Sequence, residues 1–145
     1  MVRLTKKMQL AIEAVVDIAT HASSEPIPSL DITRRRGIPH RFLEQTLQQL
    51  VRAGVLNSVR GPRGGYRLAR ERQLLTVGDV ARVVRLMEVS ESPREEMVVS
   101  ALGRTLIRPL WARLSDEFMA RLDAISIHDL CLRADPIFYD ARVVE

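Results

Sequence analysis

The sequence predicts a mainly α-helical fold with one small β-hairpin, and three observations carry that expectation. Apolar residues recur at helical spacing through most of the 145 residues. A Gly/Pro-rich hexapeptide, Arg60-Gly61-Pro62-Arg63-Gly64-Gly65, separates two short strand-like runs. A late segment, Ser100 to Ile125, is apolar on more than one helical face. Together they describe a winged helix-turn-helix domain plus a long helix suited to dimerisation.

Thr5 is placed to N-cap a first helix, whose inward face is Met8, Ala11, Ile12, Val15, Val16 and Ala19. This helix should fade near Ser23 and Ser24, because Glu25-Pro26-Ile27-Pro28 is biased away from helix. Ser29 is the next expected N-cap, opening a short helix that Gly37 ends. Pro39 suits the first turn of a third helix, with Phe42, Leu43, Thr46, Leu47, Leu50 and Val51 inward and Gly54 as its stop. Two helices of about 8 and 15 residues across a tight glycine turn form a helix-turn-helix. Val55–Val59 and Tyr66–Ala69 are the expected strands, and a hairpin directly after such a pair is a wing. Thr76 and Asp79 then make a capping-box-like start to a fourth helix carrying Val77, Val80, Ala81, Val83, Val84 and Met87.

Residues 88–97 are polar and acidic and read as a connector. In the long segment Pro109 should either start the helix or kink it. Ile107, Trp111, Met119 and Ile125 supplement the stripe of Leu102, Leu106, Leu110, Leu114, Phe118 and Leu122. The surplus suits burial against a second copy; an intramolecular core helix is the alternative. Ser126 and Asp129 frame another short helix, and an irregular tail is expected from Asp135. The domain plan is 1–87 for the winged domain, 88–105 for the connector, 106–131 for the dimerisation helix and a short following helix, and 132–145 for the tail.

Composition narrows the function classes. Residues 1–72 carry 13 Lys/Arg against 6 Asp/Glu, and residues 73–145 carry 9 against 12, so the net charge of +4 is concentrated in the first half. A basic half implies a polyanionic partner. No apolar run approaches the ~18 residues that span a membrane, and no signal-peptide pattern is present, so a cytoplasmic protein is expected. The single cysteine, Cys131, excludes an intrachain disulfide.

The candidate chemistry is recognition of double-stranded DNA. His40, Arg41, Glu44, Gln45 and Gln48 occupy the first turns of the third helix, where a recognition helix meets base edges. Glutamine can pair with adenine, glutamate can accept from cytosine and arginine can fork onto guanine. Arg60, Arg63 and Arg67 lie on the hairpin, where a cation can enter a minor groove or grip phosphates, and Arg34, Arg35, Arg36, Arg41 and Arg52 add to the basic cluster. A solvated basic surface is the plain alternative. Gly61-Pro62-Arg63-Gly64-Gly65 lacks the Gly-Lys-Ser/Thr ending and following helix of a nucleotide loop. No nucleophile elbow, paired carboxylate or metal-ligand spacing appears, so no enzyme and no cofactor are expected. His128 and Cys131, three apart, make a metal- or thiol-sensing regulator one rival reading. A protein–protein adaptor on the same scaffold is another, disfavoured by the Arg- and Gln-rich third helix.

Arg3-Leu4-Thr5-Lys6, Phe42-Leu43-Glu44-Gln45, the run from Ser58 to Ala69 and Thr76-Val77-Gly78-Asp79-Val80 resemble the IscR/NsrR/CymR family of bacterial winged helix-turn-helix regulators. Leu110-Trp111 and Ile125-Ser126-Ile127-His128-Asp129-Leu130 also match it. The resemblance is close over residues 2–87 and loose over 106–131. It implies a homodimer on a pseudo-palindromic operator, usually a repressor, with Glu44 and Gln45 at the base-reading turn and Arg60 in the minor groove. Iron–sulfur members carry three cysteines in the connector, whereas Met87 to Ile107 here contains none. Gln9 stands where some members place a carboxylate ligand. The resemblance therefore implies a cluster-free member, answering to a metabolic effector or partner enzyme; one branch binds an enzyme of cysteine biosynthesis.

Overall fold

A computed structural model describes residues 4–21, 25–91 and 100–143, with side chains described as far as Ile137 except at Glu91. The expected fading of the first helix at Ser23 and Ser24 lies outside the described residues. Helix α1 spans Lys6–Thr20, and Thr5 caps it by accepting from the Met8 amide at 3.2 Å. Helix α2 (Ser29–Arg36) ends at Gly37, whose φ of 66° is a left-handed turn that a side chain would strain. Ile38 is buried behind that turn, and α3 (His40–Arg52) follows.

Strands β1 (Leu56–Val59) and β2 (Gly65–Leu68) pair antiparallel, with Leu56 opposite Leu68 and Ser58 opposite Tyr66. Ile27 adds an isolated bridge to the hairpin. Its amide donates to the Tyr66 carbonyl at 2.9 Å, and its carbonyl accepts from the Tyr66 amide at 2.8 Å. That bridge passes so close to Gly65 that any Cβ there would collide with the Ile27 carbonyl. The wing is thus anchored to the loop between α1 and α2.

Helix α4 (Val77–Glu91) runs four residues past the expected end at Met87. Its start is a reciprocal capping box: the Asp79 amide donates to Thr76 Oγ1 at 3.1 Å and the Thr76 amide to Asp79 Oδ2 at 3.0 Å. Thr5 Oγ1 also bonds Glu88 Oε1, joining the start of α1 to the end of α4.

The chain is helical from Ala101 to Asp123, so Pro109 does not start the long helix. A π turn over Gly103–Ile107 precedes α5 (Arg108–Asp123), and the Arg108 amide reaches back to the Gly103 carbonyl. The wider turn accommodates Pro109, which has no amide hydrogen to give to the carbonyl four residues back. Arg82 of α4 and Asp123 of α5 form a two-pronged ion pair at 2.7 and 2.5 Å.

The C-terminal expectation is corrected. Instead of a short helix and an irregular tail over 132–145, α6 spans Ile127–Val143 with Pro136 inside it. Its start repeats the capping box: the Asp129 amide donates to Ser126 Oγ at 3.0 Å and the Ser126 amide to Asp129 Oδ2 at 3.1 Å. These bonds from Ser126 hold the Asp129 carboxyl below its usual range. The physical reason for the longer helix is packing: Ile127 and Cys131 are wholly buried, Leu130 and Ala134 lean on the same core, and α6 lies along α1. One core unites Ala14, Val15 and Ile18 of α1 with Ile32, Leu43, Leu47, Leu50, Leu56, Leu75, Val80 and Ile127. Among the described residues no helix is long and apolar enough to cross a membrane.

Candidate nucleic-acid interface

Helix α3 divides sharply by face. Leu43, Thr46, Leu47 and Leu50 are buried, while His40, Arg41, Gln45, Gln48 and Arg52 are exposed and Glu44 is half-buried at the boundary. The Thr46 hydroxyl is satisfied internally, donating to the Phe42 carbonyl at 2.9 Å. What α3 offers outward is therefore a row of amide, guanidinium and carboxylate groups, the chemistry that reads base edges.

The wing completes the surface. A groove of about 530 Å³ runs between α3 and the hairpin, lined by Glu44, Gln48 and Arg52 on one side and Ser58, Arg60 and Tyr66 on the other. The structure thus brings Glu44, Gln48 and Arg60 together. Gln45 faces a second groove of similar size that Gln48 and Arg52 also line, closed by Val83 and Met87 of α4. His40 and Arg41 are exposed on the first turn of α3, and Arg63 is exposed at the hairpin tip. Arg67 is placed differently. It pairs with Asn57, out of phase with Ser58 and Tyr66, and lines a separate groove behind the wing with Ile18, Thr20 and Glu25.

Glu44 is the most constrained of these residues. Ser29 Oγ donates to its Oε1 at 2.6 Å, and His40 Nε2 lies 3.7 Å from the same oxygen. Burial, helped by the nearby Glu44 charge, pushes the Tyr66 hydroxyl above its ordinary value. Ser29 and Tyr66 are thus part of the groove although the sequence pattern singled out neither as a site residue.

The arginine run of α2 behaves otherwise than expected. Asp17 of α1 is wholly buried, and Arg35 grips it through Nε at 3.1 Å and a terminal nitrogen at 2.6 Å. Arg36 Nε donates to the same carboxylate at 2.7 Å. The hydrogen bond to Asp17 raises the Arg35 pKa further. Two of the three cations are therefore engaged with the protein itself, and Arg34 is the exposed, basic remainder.

The donor set does not fit an iron–sulfur cluster. Such clusters need several thiolates, and the one cysteine, Cys131, is buried beneath Thr20, whose hydroxyl donates to its sulfur at 3.7 Å. Nδ1 of His128 is buried without a hydrogen-bond partner, and among the described residues no three His, Cys, Asp or Glu side chains are grouped to hold a metal ion.

Comparison with known proteins agrees with the fold. The family model described as Rrf2, iron-dependent transcriptional regulator, matches residues 4–133. The HTH-type transcriptional regulator IscR of Aliivibrio salmonicida is 37% identical over 128 residues, covering 88% of this chain and 76% of that protein. Its namesake from Vibrio cholerae is 34% identical over 130 residues, covering 90% and 75%. Among solved structures, T. potens IscR superposes with a TM-score of 0.69 at 28% identity, covering 92% of this chain and 88% of that one. CymR (YrzC), the global cysteine regulator of B. subtilis, gives 0.68 at 28% identity, covering 92% and 98%. With a family match over almost the whole described chain and a winged helix-turn-helix architecture beneath it, the chain belongs to the Rrf2 family, and it is a DNA-binding transcription regulator and not an enzyme.

Proposed function

We propose that this regulator binds a pseudo-palindromic operator as a homodimer and represses transcription there without an iron–sulfur cluster. The groove between α3 and the wing carries the reading, because it sets Glu44 and Gln48 beside Arg60 in one exposed channel. Gln45, Gln48 and Glu44 supply base-edge contacts, Arg60 and Arg63 reach the minor groove or the backbone, and His40 and Arg41 contribute to phosphate contact, whereas Arg67, in the separate groove behind the wing, stands apart from this surface.

The dimer reading rests on α5. Of its apolar residues only Met119 is buried, while Leu110, Trp111, Leu114 and Phe118 line up exposed, with Leu102, Leu106 and Ile107 continuing the stripe. An apolar ridge of that length is unusual on a free surface and suits a second copy. Two wings related by a two-fold axis would read two half-sites, and hence a palindrome.

Sequencing of genomic DNA recovered with the tagged protein is the test. One palindromic site should be enriched, lost with Arg60→Ala and altered in preference with Glu44→Ala. Recovery of a partner protein with no enriched DNA would instead favour an adaptor.

A further inference from the structure

Ser29 opens α2, a place where a serine hydroxyl ordinarily caps the helix. Here the cap residue is Pro28, and no side-chain bond caps α2. The Ser29 hydroxyl crosses to α3 and donates to Glu44 Oε1 at 2.6 Å. His40 Nε2 approaches the same oxygen at 3.7 Å, and neither contact involves Oε2. Glu44 is thereby held by one oxygen at the edge of the groove it shares with Gln48 and Arg60.

A glutamate on an exposed helix face samples many rotamers, and fixing one costs entropy that a neighbour must offset. A carboxylate accepts hydrogen bonds and donates none, so it suits the cytosine amino group and opposes the acceptor-rich edge of guanine. That discrimination needs the carboxylate to stay in place. Released, it would turn toward solvent or toward a cation such as Arg60, and the base opposite would go unread.

We infer that Ser29 is a positioning residue for base discrimination: its hydroxyl fixes the Glu44 carboxylate at the groove and so sets the base preference that Glu44 imposes. The inference rests on the reading of Glu44 as a base contact. It replaces the helix-cap role that the sequence assigns to Ser29.

The experiment is selection from a pool of random-sequence duplexes by the full-length protein, with thermal melting in parallel, for the parent, Glu44→Ala, Ser29→Ala and Ser29→Thr. Glu44→Ala should reduce discrimination at one base pair of each half-site by roughly tenfold. Ser29→Ala should reduce it at the same base pair by roughly threefold, and Ser29→Thr, which keeps the hydroxyl, should restore it. If Ser29→Ala melts below the assay temperature, Ser29→Cys keeps the volume with a weaker donor and carries the same expectation. Uniformly weaker binding in Ser29→Ala, with its base preference intact, makes Ser29 a structural residue and overturns the inference. A shift in Glu44→Ala with none in Ser29→Ala overturns the inference alone. An unchanged preference in Glu44→Ala overturns both it and the reading beneath it.

Discussion

At the scale of single residues, what an arginine does depends on which acid it meets first. Arg35 and Arg60 are equally cationic, yet Arg35 is bound to the wholly buried Asp17 while Arg60 lies exposed in the groove beside α3. Each phosphate contact contributes about 0.9 to the slope of log K against log salt. Arg60→Ala should therefore flatten that slope by about 0.9 per protomer with melting unchanged. Arg35→Gln should leave the slope alone and cost about 1–2 kcal/mol of stability, since Arg36 still partners Asp17. Salt-dependent binding isotherms beside urea melts separate the two; a flatter slope in Arg35→Gln would place that residue on DNA. Cys131 invites a parallel test of the thiol-sensing alternative. It is 1% exposed beneath Thr20, and thiol reagents act on accessible thiolate. Labelling should follow global unfolding across a denaturant series, and rapid labelling of the native protein would reinstate Cys131 as a sensor.

Among the elements, boundaries fixed by local chemistry were legible in the sequence, and those fixed by distant partners were not. Thr5, Gly37, Thr76 with Asp79, and Ser126 with Asp129 each mark a helix end through contacts within four residues, and all hold. The hairpin was equally readable from its Gly/Pro tip. By contrast, the hydroxyl of Ser29 goes to Glu44, fifteen residues away, and Arg35 and Arg36 reach Asp17, eighteen and nineteen away. No window of helical spacing contains those pairings. The capping box at the start of α6 and the Arg82–Asp123 pair give a pH prediction. Asp129 is lowered by bonds from Ser126, and Asp123 is lowered by its hydrogen bond with Arg82. A carboxylate with a depressed folded-state value stabilises the fold fully above its ordinary value of 3.8, and that contribution disappears as pH falls below 3.8 through the lowered value. Asp129→Asn should accordingly melt earlier than the parent at neutral pH and converge with it in acid; a gap that persists unchanged in acid would mean the carboxylate charge is irrelevant there. The exposed ridge of α5 makes the other element-level prediction. Trp111→Glu places a charge in the middle of the stripe and should turn a dimer into a monomer in sedimentation, with operator affinity falling because the second half-site is lost. A variant that remains dimeric would move the interface off α5.

For the molecule as a whole, we propose that the winged domain folds together with α6 and does not stand alone over residues 1–87. An independent unit over residues 1–87 would leave α1 uncovered along the face where α6 packs. Ile127 is completely buried, its amide donates to the Leu75 carbonyl at 2.8 Å, and the Val77 amide donates to the Ile125 carbonyl at 2.9 Å. The entry to α6 is thus bonded to the entry to α4, with α5 spanning the interval. This closure ties α5 to the winged domain at its C-terminal end twice over: Asp123 pairs with Arg82 of α4, and α6, which follows directly, packs on α1. Any force on a dimer interface at α5 would be transmitted to α1 and α4, against which α3 rests. The closure is testable without DNA. Ile127→Ala removes three buried carbons from the common core and should cost about 2–4 kcal/mol. Because α6 shares that core, the loss should appear as a lower urea midpoint in a single transition with an unchanged slope. A second, earlier transition confined to α6 would show instead that α6 is a separable appendage, and the winged domain would then be self-sufficient over residues 1–87.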